Sequence, residues 1–169
     1  EVVGLGGLLL TPEVEDLALS TNAVLLRDKA RALKDAGLKR VKVSLDTLDP
    51  ATFKAISVNA SLEAVLDGIA AAEEVGLTPI KLNMVVMKGV NDGEIEAMAR
   101  MTFERPWTVR FIEVMPMRAD PGAQAGQYVS TDSIRERLAA VGELIPIERN
   151  PLAGPAAEVG HAHQPQIAE

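Results

Sequence analysis

An α/β fold built on a parallel sheet is predicted by three observations. Four short apolar or β-branched segments recur along the chain, helical stretches separate them, and glycine or proline marks the junctions. Strands that alternate with helices are joined by right-handed crossovers, so they run in one direction and lie side by side.

The elements follow in order. Asp16 to Ser20 is apolar and runs into the polar Ser20-Thr21-Asn22, a strand entering a turn. Arg27 to Ala36 is rich in Ala, Leu, Lys and Arg and closes on Gly37, a helix with its C-terminal glycine. Arg40 to Leu45 alternates β-branched and polar residues, and a short helix follows near Ala51 to Ile56. Ser61 opens a helix whose Leu62, Val65, Leu66 and Ile69 fall at helical spacing, and Gly76 ends it before a third strand, Pro79 to Met87. Gly89-Val90-Asn91-Asp92 turns the chain, with Asp92 the expected N-cap of a helix from Gly93 to Glu104. Pro106 stops that helix, and a fourth strand runs from Thr108 to Val114.

Beyond Met115, residues 117–128 read as a loop, Thr131 to Ala140 as a capped helix, and Leu144 to Glu148 as a further strand. After Arg149 the breakers Pro151, Gly154, Pro155, Gly160 and Pro165 predict little structure, so His161 and His163 are expected in a flexible tail rather than in a metal site. A closed barrel of βα units takes about eight repeats and about 250 residues. With 169 residues, the chain predicts a partial TIM-like barrel over 1–115, a sheet of four to five strands flanked by helices. A loop, helix and last strand over 116–148 and a tail over 149–169 complete it.

Composition narrows the functions. Hydrophobic residues make up 47% and charged residues 24%, so a core forms, and with aromatics at 3% it is aliphatic. The net charge of −7, with no basic run, argues against a nucleic-acid partner. Cysteine is absent, which excludes disulfides, thiolate nucleophiles, zinc-thiolate sites and an iron–sulfur cluster ligated by this chain. The apolar run Gly4 to Leu10 is too short to span a membrane and no basic segment precedes it, so a cytoplasmic protein without membrane contact is expected. The chain opens on Glu1 rather than Met, which suggests a partial sequence.

A charged side chain within a parallel strand needs a reason. Lys81 and Asn83 share one face of the third strand, while Arg110 and Glu113 lie on opposite faces of the fourth. Lys81 either enters a ligand cavity or sits on an edge strand or beside a carboxylate. Other polar groups gather where strands end: Ser20, Thr21 and Asn22, then Ser44 and Asp46, then Glu113 and Met115. Carboxyl ends of parallel strands build ligand sites, although each such residue also suits a turn or a cap. Gly4-Leu5-Gly6-Gly7 lacks the spacing of a nucleotide loop, no Ser-His-Asp set is credible, Glu73-Glu74 reads as solvated helix surface, and Trp107 as packing.

Four ordered segments carry a resemblance: Leu17 to Asn22, Val41 to Asp46, Lys81-Leu82-Asn83 through Gly89-Val90-Asn91-Asp92, and Val109 to Pro116. Together they closely resemble the GTP 3',8-cyclase family of radical S-adenosylmethionine enzymes, which act in molybdenum cofactor biosynthesis. The resemblance implies that Ser44 and Met115 contact S-adenosylmethionine, with Gly7 approaching its methionine moiety, and that Ser20 and Lys81 contact GTP. Departures are as clear. The family's N-terminal Cys-x3-Cys-x2-Cys run for a 4Fe-4S cluster and its C-terminal cysteine group are missing, as are the Glu and Pro of its Gly-Gly-Glu-Pro loop and its arginine-rich GTP segment. Without a cluster there is no electron source, so the chain as it stands is expected to be inactive. Two other readings stand beside a partial cyclase: a non-catalytic fragment that binds nucleotide or associates through open sheet edges, and a lyase forming a Schiff base on Lys81.

Overall fold

The computed structural model describes residues 16–58, 60–115, 126–146 and 159–161. Gly7, His163 and most of the loop expected over 117–128 lie outside the described residues.

By its contacts the chain divides into two compact units. Of the described residues, one unit holds those up to Val85 and Trp107–Ile112, and the other holds Val86–Pro106 and those from Glu113 onward. The path leaves the first unit at the end of the third strand, whose last residue Val86 already belongs to the second, and returns for most of the fourth.

The first unit is organised by a parallel sheet, β1 Ala18–Thr21, β2 Arg40–Ser44, β3 Ile80–Val86 and β4 Trp107–Glu113, in the order β1-β2-β3-β4. Between the strands come α1 Leu26–Asp35, α2 Pro50–Ile56 and α3 Leu62–Glu74. The core follows strand alternation. Val41 and Val43 on β2 and Ile80, Leu82, Met84 and Val86 on β3 are fully buried, while the residues between them are half-buried or exposed. One face is therefore dry and the other open. The dry face needs an apolar cover, and the stripes Leu26, Ala30 and Leu33 of α1 and Val65, Ile69 and Ala72 of α3 have the spacing to provide it.

Helices α1 and α3 pack closely where Gly68 meets Ala23. Arg27 on α1 holds Asp67 and Glu74 on α3 across an exposed surface, bonds that raise its pKa and lower that of Asp67. Ser61 accepts the Ala64 N–H and opens α3 as expected, and Asp49 accepts the Thr52 N–H at the start of α2. Glu74 lies on the exposed helix surface as expected and pairs there with Arg27, while the half-buried Glu73 accepts the indole N–H of the buried Trp107 at 3.2 Å.

In the second unit a short 3-10 turn, Asp92–Glu94, leads into α4 Ile95–Glu104, and α5 Thr131–Ala139 packs on α4. Arg137 joins the two helices by forked bonds to Glu96 and a bond to the Asp92 carbonyl, and that guanidinium holds the Glu96 carboxyl below the usual range. Strands β5 Leu144–Pro146 and β6 Val159–His161 pair antiparallel. Val159–His161 thus departs from the expectation of little structure after Arg149. Three residues carry too weak a periodicity to announce a strand, and its existence depends on a distant partner.

Candidate functional site

The open face of the sheet collects the polar strand residues. In the parallel register Ser20 is the partner of Lys42, and Lys42 the partner of Lys81. Lateral partners share a face, so Ser20, Lys42 and Lys81 form one row across three strands. A second row, Ser44 beside Asn83, lies one step nearer the carboxyl ends. Lys42, Lys81 and Asn83 are half-buried, and Ser20 and Ser44 are exposed. Lys81 is on an interior strand between β2 and β4, which removes the edge-strand reading, and it interacts within the fold.

Several other flagged residues turn out to hold turns. The Thr21 hydroxyl accepts the Ala23 N–H at 3.0 Å, and the Asn22 amide oxygen accepts the Val24 N–H. These bonds support a left-handed Ala23, φ 63°, a conformation costly for any residue with a side chain. Asp46 accepts the Val85 N–H at 2.8 Å, and burial pushes its carboxyl above the usual carboxylate range. The Gly-Val-Asn-Asp segment is likewise a built turn. Asn91, almost fully buried, accepts the Met87 N–H, while Asp92 accepts the N–H of Gly89, whose φ is 74°. Asp92 therefore does not cap α4 as expected; its carboxylate serves the turn before the helix.

Glu113 and Met115 belong to the second unit. Glu113 accepts both the backbone N–H and the hydroxyl of Thr131, which keeps its carboxyl below the usual range. The Met115 side chain is 79% exposed. The assembled site is thus Ser20, Lys42, Ser44, Lys81 and Asn83, all in the first unit. Lys42 was missed from the sequence, although its position two residues before Ser44 gave it the parity of the open face.

A parallel α/β sheet with polar rows leading to its carboxyl ends defines a class of proteins that hold a small ligand or cofactor there. The chain belongs to the Radical SAM superfamily, whose family model matches residues 5–102. It is 47% identical over 143 residues to the GTP 3',8-cyclase of Geobacter sulfurreducens, covering 85% of this chain and 44% of that protein. With the GTP 3',8-cyclase of Listeria monocytogenes serotype 4b it shares 50% over 135 residues, covering 80% and 40%. The chain spans less than half the length of each relative. Among solved structures, the radical SAM enzyme coproporphyrinogen III oxidase (HemN) from Escherichia coli aligns with TM-score 0.49 and 14% identity, over 75% of this chain and 32% of that one.

The superfamily implies an iron–sulfur cluster and S-adenosylmethionine. The residues present do not fit the cluster: the chain has no cysteine, and among the described residues no group of His, Asp and Glu could hold a metal ion. For the second group, the described residues offer the exposed Ser44 hydroxyl at the carboxyl end of β2. No helix among the described residues is long and apolar enough to cross a membrane.

Proposed function

We propose that this chain forms the nucleotide-holding central strands of a GTP 3',8-cyclase, the class that converts GTP to a cyclic pterin precursor in molybdenum cofactor biosynthesis. The observation that supports it is the place of Lys81: a cation on an interior strand, on the open face of the sheet, in one row with the Ser20 hydroxyl. An ammonium is a compact point charge suited to phosphate oxygens, and partial burial strengthens its attraction for them. Ser20 donates to the same nucleotide, and Ser44 contacts S-adenosylmethionine. The radical chemistry of the class is supplied by S-adenosylmethionine when a reduced cluster is bound. No electron-transfer step is assigned to residues that include no thiolate; binding and orientation are what they contribute.

Calorimetric titration of the chain with GTP tests this. Lys81→Ala is expected to weaken binding by about tenfold or more, the scale of one lost charge-assisted contact. Equal affinity in the variant and the parent would remove the proposal. Anaerobic reconstitution with iron and sulfide is expected to give no four-iron absorbance and no turnover of GTP; an intact cluster signal would overturn the reading of the missing thiolates.

A further inference from the structure

We propose that Lys42 is a second phosphate-binding cation of the same site and sets its preference for a polyphosphate over a monophosphate. The inference rests on the nucleotide reading above and deepens it. Lys42 is the Cα partner of both Ser20 and Lys81, so it occupies the middle of the polar row. Adjacent strands are about 4.8 Å apart, which places two lysines side by side on one half-buried face. Like charges in lateral register repel, and partial burial increases that cost.

No compensating anion for Lys42 is found within the described fold. Ion pairs among the described residues include those of Arg27, Arg40, Arg135 and Arg137, and Lys42 enters none of these. Asp46, the acidic residue at the end of the same strand, is turned to the Val85 N–H. Two cations in one row give a ligand with several adjacent negative groups two points of attachment. A triphosphate, with more negative oxygens spread over a longer span, engages the two ammoniums more strongly than a monophosphate does.

The test is the affinity of the 169-residue chain for GTP, GMP and guanosine, in the parent and in Lys42→Gln, Lys42→Arg and Lys81→Ala. Lys42→Gln keeps a polar, slightly shorter side chain and removes the charge. It is expected to weaken GTP by about tenfold, to change GMP far less and to leave guanosine unaltered, while Lys42→Arg retains GTP affinity. Inorganic tripolyphosphate should displace GTP from the parent and do so more weakly in Lys42→Gln. If Lys42→Gln binds GTP like the parent while Lys81→Ala does not, Lys42 lies outside the site and only this inference falls. If neither variant alters GTP binding, the nucleotide reading falls with it. Equal losses for GTP and guanosine in Lys42→Gln would indicate damage to the sheet and also overturn the proposal.

Discussion

Gly68 of α3 lies against the backbone of Ala23, so close that a Cβ built on it would stand 2.1 Å from the Ala23 carbonyl oxygen and 3.1 Å from the Leu26 Cβ. Both neighbours are fixed. Ala23 is fully buried in its left-handed conformation, held by the Thr21 hydroxyl, and its carbonyl accepts the Leu26 N–H at the start of α1. The turn that ends β1, next to Ser20 of the candidate site, is thus clamped between two helices.

Gly68→Ala is accordingly expected to destabilise the chain by about 3 kcal/mol, the upper range for a group forced into a packed core. It should also weaken GTP binding through displacement of Ser20. Urea denaturation followed by circular dichroism measures the first effect. A loss below about 1 kcal/mol would show that α3 moves away freely and that the clamp is not rigid.

The second prediction concerns Asp46, which joins the loop after β2 to β3 through the Val85 N–H. Burial raises its carboxyl above the usual range, and the Val85 bond opposes this. A folded-state pKa above the unfolded value means that the group's contribution is fully present below the unfolded pKa and is lost as pH rises through the folded one. At neutral pH the ionised Asp46 therefore costs stability. Asp46→Asn keeps the acceptor without the charge, so it should be neutral or stabilising at pH 7 and should flatten the stability profile just above the ordinary carboxylate range. Asp46→Ala strands a backbone N–H and is expected to cost about 1–3 kcal/mol. Thermal unfolding across pH compares the two, and equal destabilisation at pH 7 would contradict the assignment.

What the sequence discloses is set by how local each cause is. The strands and helices from Ala18 to Glu113 are legible because their signals, alternation in Arg40 to Ser44 and helical spacing in Leu62, Val65 and Ile69, lie within a few residues. Turn chemistry was visible in kind but not in partner. Asp92 and Asn91 are turn formers, yet which N–H each accepts depends on the path of Met87 to Gly89. Glu73 looked solvated because its partner, Trp107, is far along the chain. Lys42 was hidden for the same reason: its relation to Lys81 exists only in the register of β2 against β3. Of the residues that the family resemblance singled out, Ser20, Ser44 and Lys81 fall on one face of one sheet, Met115 belongs to the second unit and Gly7 lies outside the described residues. Beside them Thr21 and Asn22 make local hydrogen bonds and Asp46 accepts the Val85 N–H of the next strand.

Glu113 carries the third prediction. Its Oε1 accepts the Thr131 N–H at 2.6 Å and the Thr131 hydroxyl at 2.7 Å, which places a negative charge at the N-terminus of α5 where the helix dipole favours it. The Thr131 hydroxyl and then its backbone N–H hold the carboxyl below the usual range. A depressed folded-state pKa contributes stability that is present above the unfolded value and is lost as pH falls through the folded one. Glu113→Gln should therefore unfold at a lower midpoint than the parent at pH 7, with the gap narrowing as pH falls below the ordinary carboxylate range. Hydrogen exchange at the first turn of α5 gives a local readout, since the Thr131 amide should lose protection in the variant and the helix interior should not. A gap that stays constant with pH, or an unaltered Thr131 amide, would show that the carboxylate charge does not support this helix.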